Sequence, residues 1–296
     1  MFAFRLDVFH SVAKNLSFTK ASQELHITQP AVTNHIKELE TSLGISLFYR
    51  SQNSIILTEA GLLLFSYTGQ AKENYTNLQY QLGILRNSFS GKINIGASTT
   101  IEQYVIPPIL AHFQKKYPDI QLNLNNYNSK YVEYEVSKRS VDLGIIEGIS
   151  NNREFKYIPF MEDEIVAVAH TSQPVAKKIQ ITREELKTTP MVVREIGSGS
   201  LDVTMSKLKE VDLSHKNLNI IAYLGSSESM KTFLANSNCI SFISIFAVKN
   251  EIARGEFQII DIDDLQITRT FHFIYPQGQQ NELVNKFIYF CLDHKG

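Results

Sequence analysis

Two hydroxyl-rich stretches carry the clearest chemistry in this chain. Ser98-Thr99-Thr100 follows an apolar run and opens a helical pattern, and Gly197-Ser198-Gly199-Ser200 repeats that arrangement further on. At each, hydroxyls converge with backbone N–H groups that the first helical turn leaves unpaired, at the positive end of a helix dipole. Arg194 stands nearby to pair a carboxylate, sulfate or phosphate. Ser227, next to Ser226 at a later helix start, adds a donor or serves only as a cap. Glu147, at a strand end, pulls the other way, selecting against anions or taking an amine. One such helix start is an ordinary cap. Two of them, at strand ends of opposing halves, predict a small-anion cleft lined by Ser98, Thr99, Thr100, Glu147, Arg194, Ser198, Gly199, Ser200 and Ser227.

A second set of residues lies near the N-terminus. At about 100° per residue, Val32, Ile36, Leu39 and Leu43 form one stripe, while Pro30, Thr33, Asn34 and Lys37 face away from it. Thr33 and Asn34 suit base edges, Asn adenine in particular, and Lys37 suits guanine or phosphate. Thr28 can cap this helix, and Pro30 is tolerated in its first turn. A shorter helix over 17–25 precedes it across a tight turn, supported by a first helix with Leu6, Phe9, Val12 and Ala13 inward. Apolar runs at 47–50 and 55–57 flank the polar turn Ser51-Gln52-Asn53-Ser54 and predict a wing, from which Arg50 reaches a phosphate or the minor groove. An amphipathic helix alone would mean little. Two helices, a fitting turn and a hairpin together predict a reader of double-stranded DNA.

Other chemistry is poorly represented. Gly197-x-Gly199 lacks the third glycine of a dinucleotide loop, and no Walker sequence occurs. Gly96-Ala97-Ser98-Thr99-Thr100 lacks the closing glycine of a nucleophile elbow. The eight histidines show no metal-ligand spacing with one another or with Cys239 and Cys291, which sit in apolar surroundings. The expectation is a protein that is not an enzyme and needs no metal or cofactor beyond a small effector. An enzyme on the same two-lobed scaffold would need a nucleophile–base pair, and a solute-binding protein with a helical assembly domain would leave the DNA-reading face without a purpose.

The elements that position these residues follow from periodicity. Thr58 and Glu59 begin a long helix, and Ala71, Tyr75, Leu78, Leu82, Leu85 and Phe89 recur along it at alternating spacings of four and three. That is a heptad seam, and it predicts a dimerising linker helix. Dimerisation matters because the formal net charge is −1 and residues 1–58 hold five cations (Arg5, Lys14, Lys20, Lys37, Arg50) against four acids (Asp7, Glu24, Glu38, Glu40). Phosphate neutralisation dominates DNA affinity, so a second copy has to double the contacts. Beyond residue 90, strands at 92–97, 120–127, 142–146, 163–170, 190–194, 218–224, 239–244 and 268–275 alternate with helices. The alternation predicts parallel sheets in two subdomains, with the chain crossing out near 161–163 and returning near 265–268. The N-terminus lacks an export signal, no apolar stretch could span a bilayer, and the cysteines show no disulfide pattern; the expected location is the cytoplasm, with no membrane partner.

Over nearly its whole length the chain resembles a LysR-type transcriptional regulator. The resemblance rests on Leu16-Ser17-Phe18-Thr19-Lys20-Ala21-Ser22, Thr28-Gln29-Pro30-Ala31-Val32-Thr33, Ile36-Lys37-Glu38-Leu39-Glu40, Leu47-Phe48, Arg50 and Leu57-Thr58-Glu59-Ala60-Gly61. The second half adds Gly96-Ala97-Ser98-Thr99-Thr100-Ile101, Tyr104-Val105-Ile106-Pro107, Pro118, Asp142-Leu143-Gly144-Ile145 and Glu147. Arg194-Glu195-Ile196-Gly197-Ser198-Gly199-Ser200 resembles the branch with regulators of carbon fixation and sulfur assimilation. The resemblance implies an α plus α/β chain: a winged helix-turn-helix (1–58), a dimerising linker helix (59–90) and a periplasmic-binding-protein-like effector domain of two Rossmann-like subdomains (91–296). The first subdomain would be 91–162 with 267–296, and the second 163–266. DNA contacts are expected from Ser17, Thr19, Lys20, Thr28, Gln29, Pro30, Thr33, Asn34, Lys37 and Arg50. Self-assembly as a dimer and then a homotetramer is implied, with RNA polymerase as a further candidate partner. Two departures stand out: Asn53 where the wing often has a second basic residue, and Ser200-Leu201 where the branch often has Thr-Arg.

Overall fold

The computed structural model describes residues 4–50, 55–85, 90–148, 152–278 and 281–294. The chain divides into two compact units, the first running to Ser88 and the second taking nearly all the rest. In the first, helices α1 (Phe4–Asn15), α2 (Phe18–Glu24) and α3 (Gln29–Leu43) enclose a core of Val8, Phe9, Val12, Val32, Ile36, Leu39, Leu47 and Phe48. The boundaries follow local chemistry. Ser17 and Thr28 sit in extended backbone and accept from Lys20 N and Ala31 N, capping α2 and α3. Gly44, at φ 69°, ends α3 in the left-handed conformation that a glycine adopts without strain.

Strands β1 (Phe48–Arg50) and β2 (Ile55–Leu57) pair antiparallel as the expected wing, and the turn at 51–54 lies outside the described residues. A Glu40 carboxylate oxygen accepts from Leu47 N (2.8 Å) and Phe48 N (3.4 Å), tying the wing to the end of α3. Helix α4 (Glu59–Leu85) follows, with Thr58 Oγ1 accepting from Gly61 N at its start. Of the expected seam, Tyr75, Leu78 and Leu82 are exposed. Ala71 is half-buried, while the side chain of Leu85 and all of Phe89 lie outside the described residues.

The second unit comprises β3 (Gly91–Ser98), α5 (Ile106–Lys116), β4 (Ile120–Tyr127), α6 (Ser129–Ser137), β5 (Leu143–Glu147), β6 (Phe155–His170), β7 (Gln180–Ile181) and α7 (Arg183–Thr188). It continues through β8 (Met191–Arg194), α8 (Gly199–Glu210), β9 (Ile220–Leu224), α9 (Ser227–Ala235), β10 (Ser241–Ser244) and α10 (Ile245–Ala253). Strands β11 (Phe257–Ile259), β12 (Asp261–Ile262) and β13 (Ile267–Pro276) and helix α11 (Glu282–Asp293) complete it. The main sheet runs β10-β6-β13-β5-β3-β4, with β11 also on β6, and β8 pairs β9 separately.

The sheets are not parallel throughout, as the alternation predicted. The β3–β4, β3–β5 and β8–β9 pairs are parallel, whereas β13 runs antiparallel to β5 and β6, and β6 to β10 and β11. The cause is topological: the strand that leaves one lobe and the strand that returns must run in opposite directions. Strand β6 also starts at Phe155, before the expected 163, and pairs with β13 from Pro276↔Phe155 to Ile267↔Ile165. Each lobe keeps its own core. Val132, Val136, Val141, Ile146 and Ile274 pack in one, while Leu186, Met191, Leu208 and Ile240 pack in the other. The two long strands join them, and what they carry sits between the cores.

Candidate functional site

The N-terminal face comes from the start and outer side of α3. Gln29, Pro30, Asn34 and Lys37 are exposed there, Thr28 is exposed as the cap, and Thr33 is half-buried. Thr33 Oγ1 donates back to Gln29 O (3.1 Å), and Asn34 Nδ2 donates to Glu38 Oε1 (3.1 Å). Arg5 holds Glu38 from α1 at 2.9 Å, so α1 indirectly sets the Asn34 side chain. Thr19 and Lys20 are exposed on α2, and Ser17 is engaged as its cap. Arg50 closes β1, and its side chain lies outside the described residues.

The hydroxyl-rich loops meet in the second unit. Ser98 ends β3, Thr99 and Thr100 follow, and Ser200 lies in the first turn of α8; all four are buried. Between them lies the Glu147 carboxylate, 5% exposed, at the end of β5. Ser98 Oγ donates to its Oε1 (3.1 Å) and Ser200 Oγ to its Oε2 (2.7 Å). Arg269 Nη1, from β13, donates to Oε2 (2.7 Å) and to Ser200 Oγ (2.8 Å). The cradle therefore surrounds a carboxylate that the chain itself supplies. Burial would raise the Glu147 carboxyl, but the Arg269 guanidinium and the hydroxyls outweigh it and hold it below the usual glutamate value. This corrects the expectation for Glu147: it does not stand free to repel an anion or take an amine, because three donors consume it.

Arg269 is fixed from behind by its cross-strand partner Asp163 on β6. Its Nε donates to Asp163 Oδ2 (2.7 Å), Nη2 lies 2.7 Å from the same oxygen, and Ser244 Oγ donates to Oδ1 (2.7 Å). Burial, the largest effect, leaves the Asp163 carboxyl above its usual value despite the arginine. Arg194 also departs from expectation. Rather than awaiting an anion, its Nε and Nη2 bind both oxygens of Glu195 (2.8 and 3.1 Å). Nη2 also donates to Thr99 Oγ1 and Gly225 O (both 3.3 Å). Adjacent residues of opposite charge at a buried strand end satisfy each other first.

The remaining expected residues take supporting places. Ser198 begins α8 without a side-chain cap bond, and Ser226 caps α9 with Ser227 buried behind it. Gly199 is required by close approach, because a Cβ there would come within 2.6 Å of Ser129 Oγ and 2.9 Å of the Glu147 backbone oxygen. Thr100 Oγ1 is buried close enough to the Glu147 carboxylate to help hold that carboxyl down, though not in hydrogen-bonding geometry. Ile101–Val105 forms a π-helical turn, a form common at functional sites, and aims Tyr104 at Glu228 of the other lobe. Beside the cradle, a cavity of about 370 Å³ opens between α6 and α8, bordered by Ser129, Lys130, Glu147, Gly199, Asp202 and Ser206. Sequence spacing missed Arg269, Asp163, Ser244 and Tyr104. The available signal was a lone arginine inside the apolar run Ile267–Pro276.

Cys239 and Cys291 are buried thiols, both pushed above the usual thiol value by that burial, which makes them poor nucleophiles. His170 bonds Ser172 and packs on Phe257. Among the described residues, no helix is long and apolar enough to cross a membrane, and no cluster could hold a metal ion.

Comparison with known proteins matches both units to one family. Residues 4–62 match the model for the bacterial regulatory helix-turn-helix protein of the lysR family, and residues 86–296 match the LysR substrate binding domain. The HTH-type transcriptional regulator CysL of Bacillus subtilis is 30% identical over 93% of this chain and 91% of its own. A full-length OxyR variant from Pseudomonas aeruginosa shares the fold at TM-score 0.76 and 17% identity, covering 100% of this chain and 96% of its own. The regulatory domain of Synechocystis CcmR, solved in complex with 2-PG, covers 70% of this chain and 98% of its own, at TM-score 0.63 and 26% identity. With a helix-turn-helix unit and an effector-binding unit both matched, the chain belongs to the LysR family of DNA-binding transcriptional regulators.

Proposed function

We propose that this regulator reads a two-fold symmetric DNA site through Pro30, Thr33, Asn34 and Lys37, and that an effector with an oxyanion group controls it from the interlobe cleft. Thr28, Gln29, Ser17, Thr19, Lys20 and Arg50 would contact the flanking backbone. The observation that carries the effector reading is the convergence of Ser98 and Ser200, from opposing lobes, on one carboxylate. A cradle built for that group suits the same chemistry on a ligand. Thr99, Thr100, Arg194, Ser198, Gly199 and Ser227 would form its surround. The parts are then 1–58 for DNA, 59–90 for dimerisation and 91–296 for the effector, acting as a cytoplasmic homotetramer that is not an enzyme and that signals to RNA polymerase.

Effector binding favours one relative arrangement of the lobes, and assembly converts it into altered spacing or bending of DNA. The test pairs a gel shift on the chain's own upstream DNA with a thermal-shift screen of sulfur oxyanions, phosphorylated sugars, carboxylates and amino acids. A hit should stabilise the wild-type protein and lose that effect in Ser98→Ala with Ser200→Ala. A full shift in the double variant would move the effector elsewhere.

A further inference from the structure

Glu147 is an unusual occupant for the centre of an effector cleft. Its donors come from both lobes and from β13, and they leave it 5% exposed. Arg269 stays in place if this side chain swings away, because its Nε donates to Asp163, its Nη2 lies 2.7 Å from the same oxygen without a hydrogen bond, and Ser244 holds Asp163. Nη1 would stay presented beside Ser200, opposite Ser98. What remains is a socket of one buried cation and two hydroxyls, sized for a carboxylate head.

The displaced side chain has somewhere to go. Glu147 already borders the cavity between α6 and α8, which is wide enough to take a side chain and is lined by the exposed Lys130 as well as by Glu133 and Asp202, the last of which the Lys130 charge already acts on. Charge favours an even exchange. Glu147, Asp163 and Arg269 carry formal charges of −1, −1 and +1, so the buried trio sums to −1. A monoanion replacing Glu147 preserves that sum. A dianion would add a second uncompensated buried charge; a neutral group would leave Arg269 and Asp163 balanced but would forfeit the charge-assisted bond that Nη1 now makes to a carboxylate oxygen.

We propose that Arg269, Ser98 and Ser200 form a binding socket for a singly charged carboxylate head, and that Glu147 is its resident competitor. The proposal rests on the interlobe effector cleft proposed above and specifies its chemistry. With Glu147 in place, the tie from Ser98 to Ser200 belongs to the chain; with a ligand in place, the tie passes through the ligand and β5 is released from it. The internal carboxylate also lowers apparent affinity, since only the fraction of molecules with Glu147 withdrawn can bind.

The experiment empties the socket in the full chain with Glu147→Ala and offers small monocarboxylates. Formate and acetate, against chloride at equal ionic strength, should raise the melting temperature of the variant by about 3 °C or more at saturation and leave the wild type unmoved. Adding Ser98→Ala and Ser200→Ala should remove the effect. Equal shifts in variant and wild type, or none in the variant, would overturn the proposal. If Glu147→Ala does not fold unaided, refolding from urea in formate should recover soluble protein where chloride does not, and equal recovery counts against it. A gel shift on the same variant reports DNA binding separately, and the wild-type ligand screen reports the cleft, so either can stand when the socket fails.

Discussion

At the scale of single residues, the site is governed by a buried arginine between two carboxylates. Glu147 has the lowered carboxyl of the pair and Asp163 the raised one, although both touch Arg269. The difference fits their donors: Glu147 gathers hydroxyls from both lobes as well as the guanidinium, while Asp163 has one hydroxyl and stays above its usual value. A carboxyl held below its unfolded value stabilises the fold above that unfolded value, and the contribution fades as pH falls through the lower, folded one. The stability gap between wild type and Glu147→Gln should therefore be widest near neutral pH and close progressively below the ordinary glutamate range, read as urea midpoints across pH. A gap that stayed constant into acid would mean the charge contributes nothing. The DNA face makes its own claim at this scale. Thr33→Ala with Asn34→Ala removes groups suited to base edges but no core atoms, so sequence-specific footprints should vanish while oligomeric state is retained. Ser98 and Ser200 were legible in the sequence because a hydroxyl beside a helix start announces itself locally. Arg269 and Asp163 were not, because only the β6–β13 register sets them opposite each other.

Among elements, some local starts were read from their caps, but α7 and α10 were passed over although Thr182 and Glu185 form a capping box at the first and Ser244 caps the second, and the long-range features were missed as well. Thr28 and Ser226 cap α3 and α9 as their hydroxyls at helix starts predict, whereas the cap at Ser17 and the stop at Gly44 emerge only in the structure. Strand direction depends on where the chain goes next, so β13 and β6 were misread as parallel, and the first half of β6 was passed over. The wing-to-linker junction shows how tightly two elements can meet. A Cβ on Gly61 in α4 would run into the carbonyl oxygen of Leu47, a backbone atom that also accepts from Thr58 N. Gly61→Ala should cost about 1–3 kcal/mol in the DNA-binding unit, as overpacking generally does, and lower its melting temperature. Gly225→Ala, with nothing within 4 Å of the new atom, is the control that should change little. Equal behaviour of the two variants would remove the packing account of this junction.

For the whole molecule, the question is how a chain of net charge −1 grips a polyanion. Five cations against four acids in residues 1–58 leave a single domain with one net positive charge, and Arg5 and Lys14 are already paired with Glu38 and Glu24. Few phosphates can be neutralised by one copy. Helix α4 offers the remedy, because Tyr75, Leu78 and Leu82 are exposed at heptad spacing along it. Two copies joined there would present two α3 helices and double the phosphate contacts. Leu78→Glu with Leu82→Glu places like charges on that seam without touching α3. Sedimentation should then show the variant's mass falling to the 33.7 kDa of one chain. Its DNA affinity should also depend less steeply on salt, since the slope of log affinity against log salt is about −0.9 per phosphate neutralised and halving the contacts halves it. A variant that kept both its assembly and its salt slope would place the dimer contact away from α4 and leave the charge balance of the reading unit unexplained.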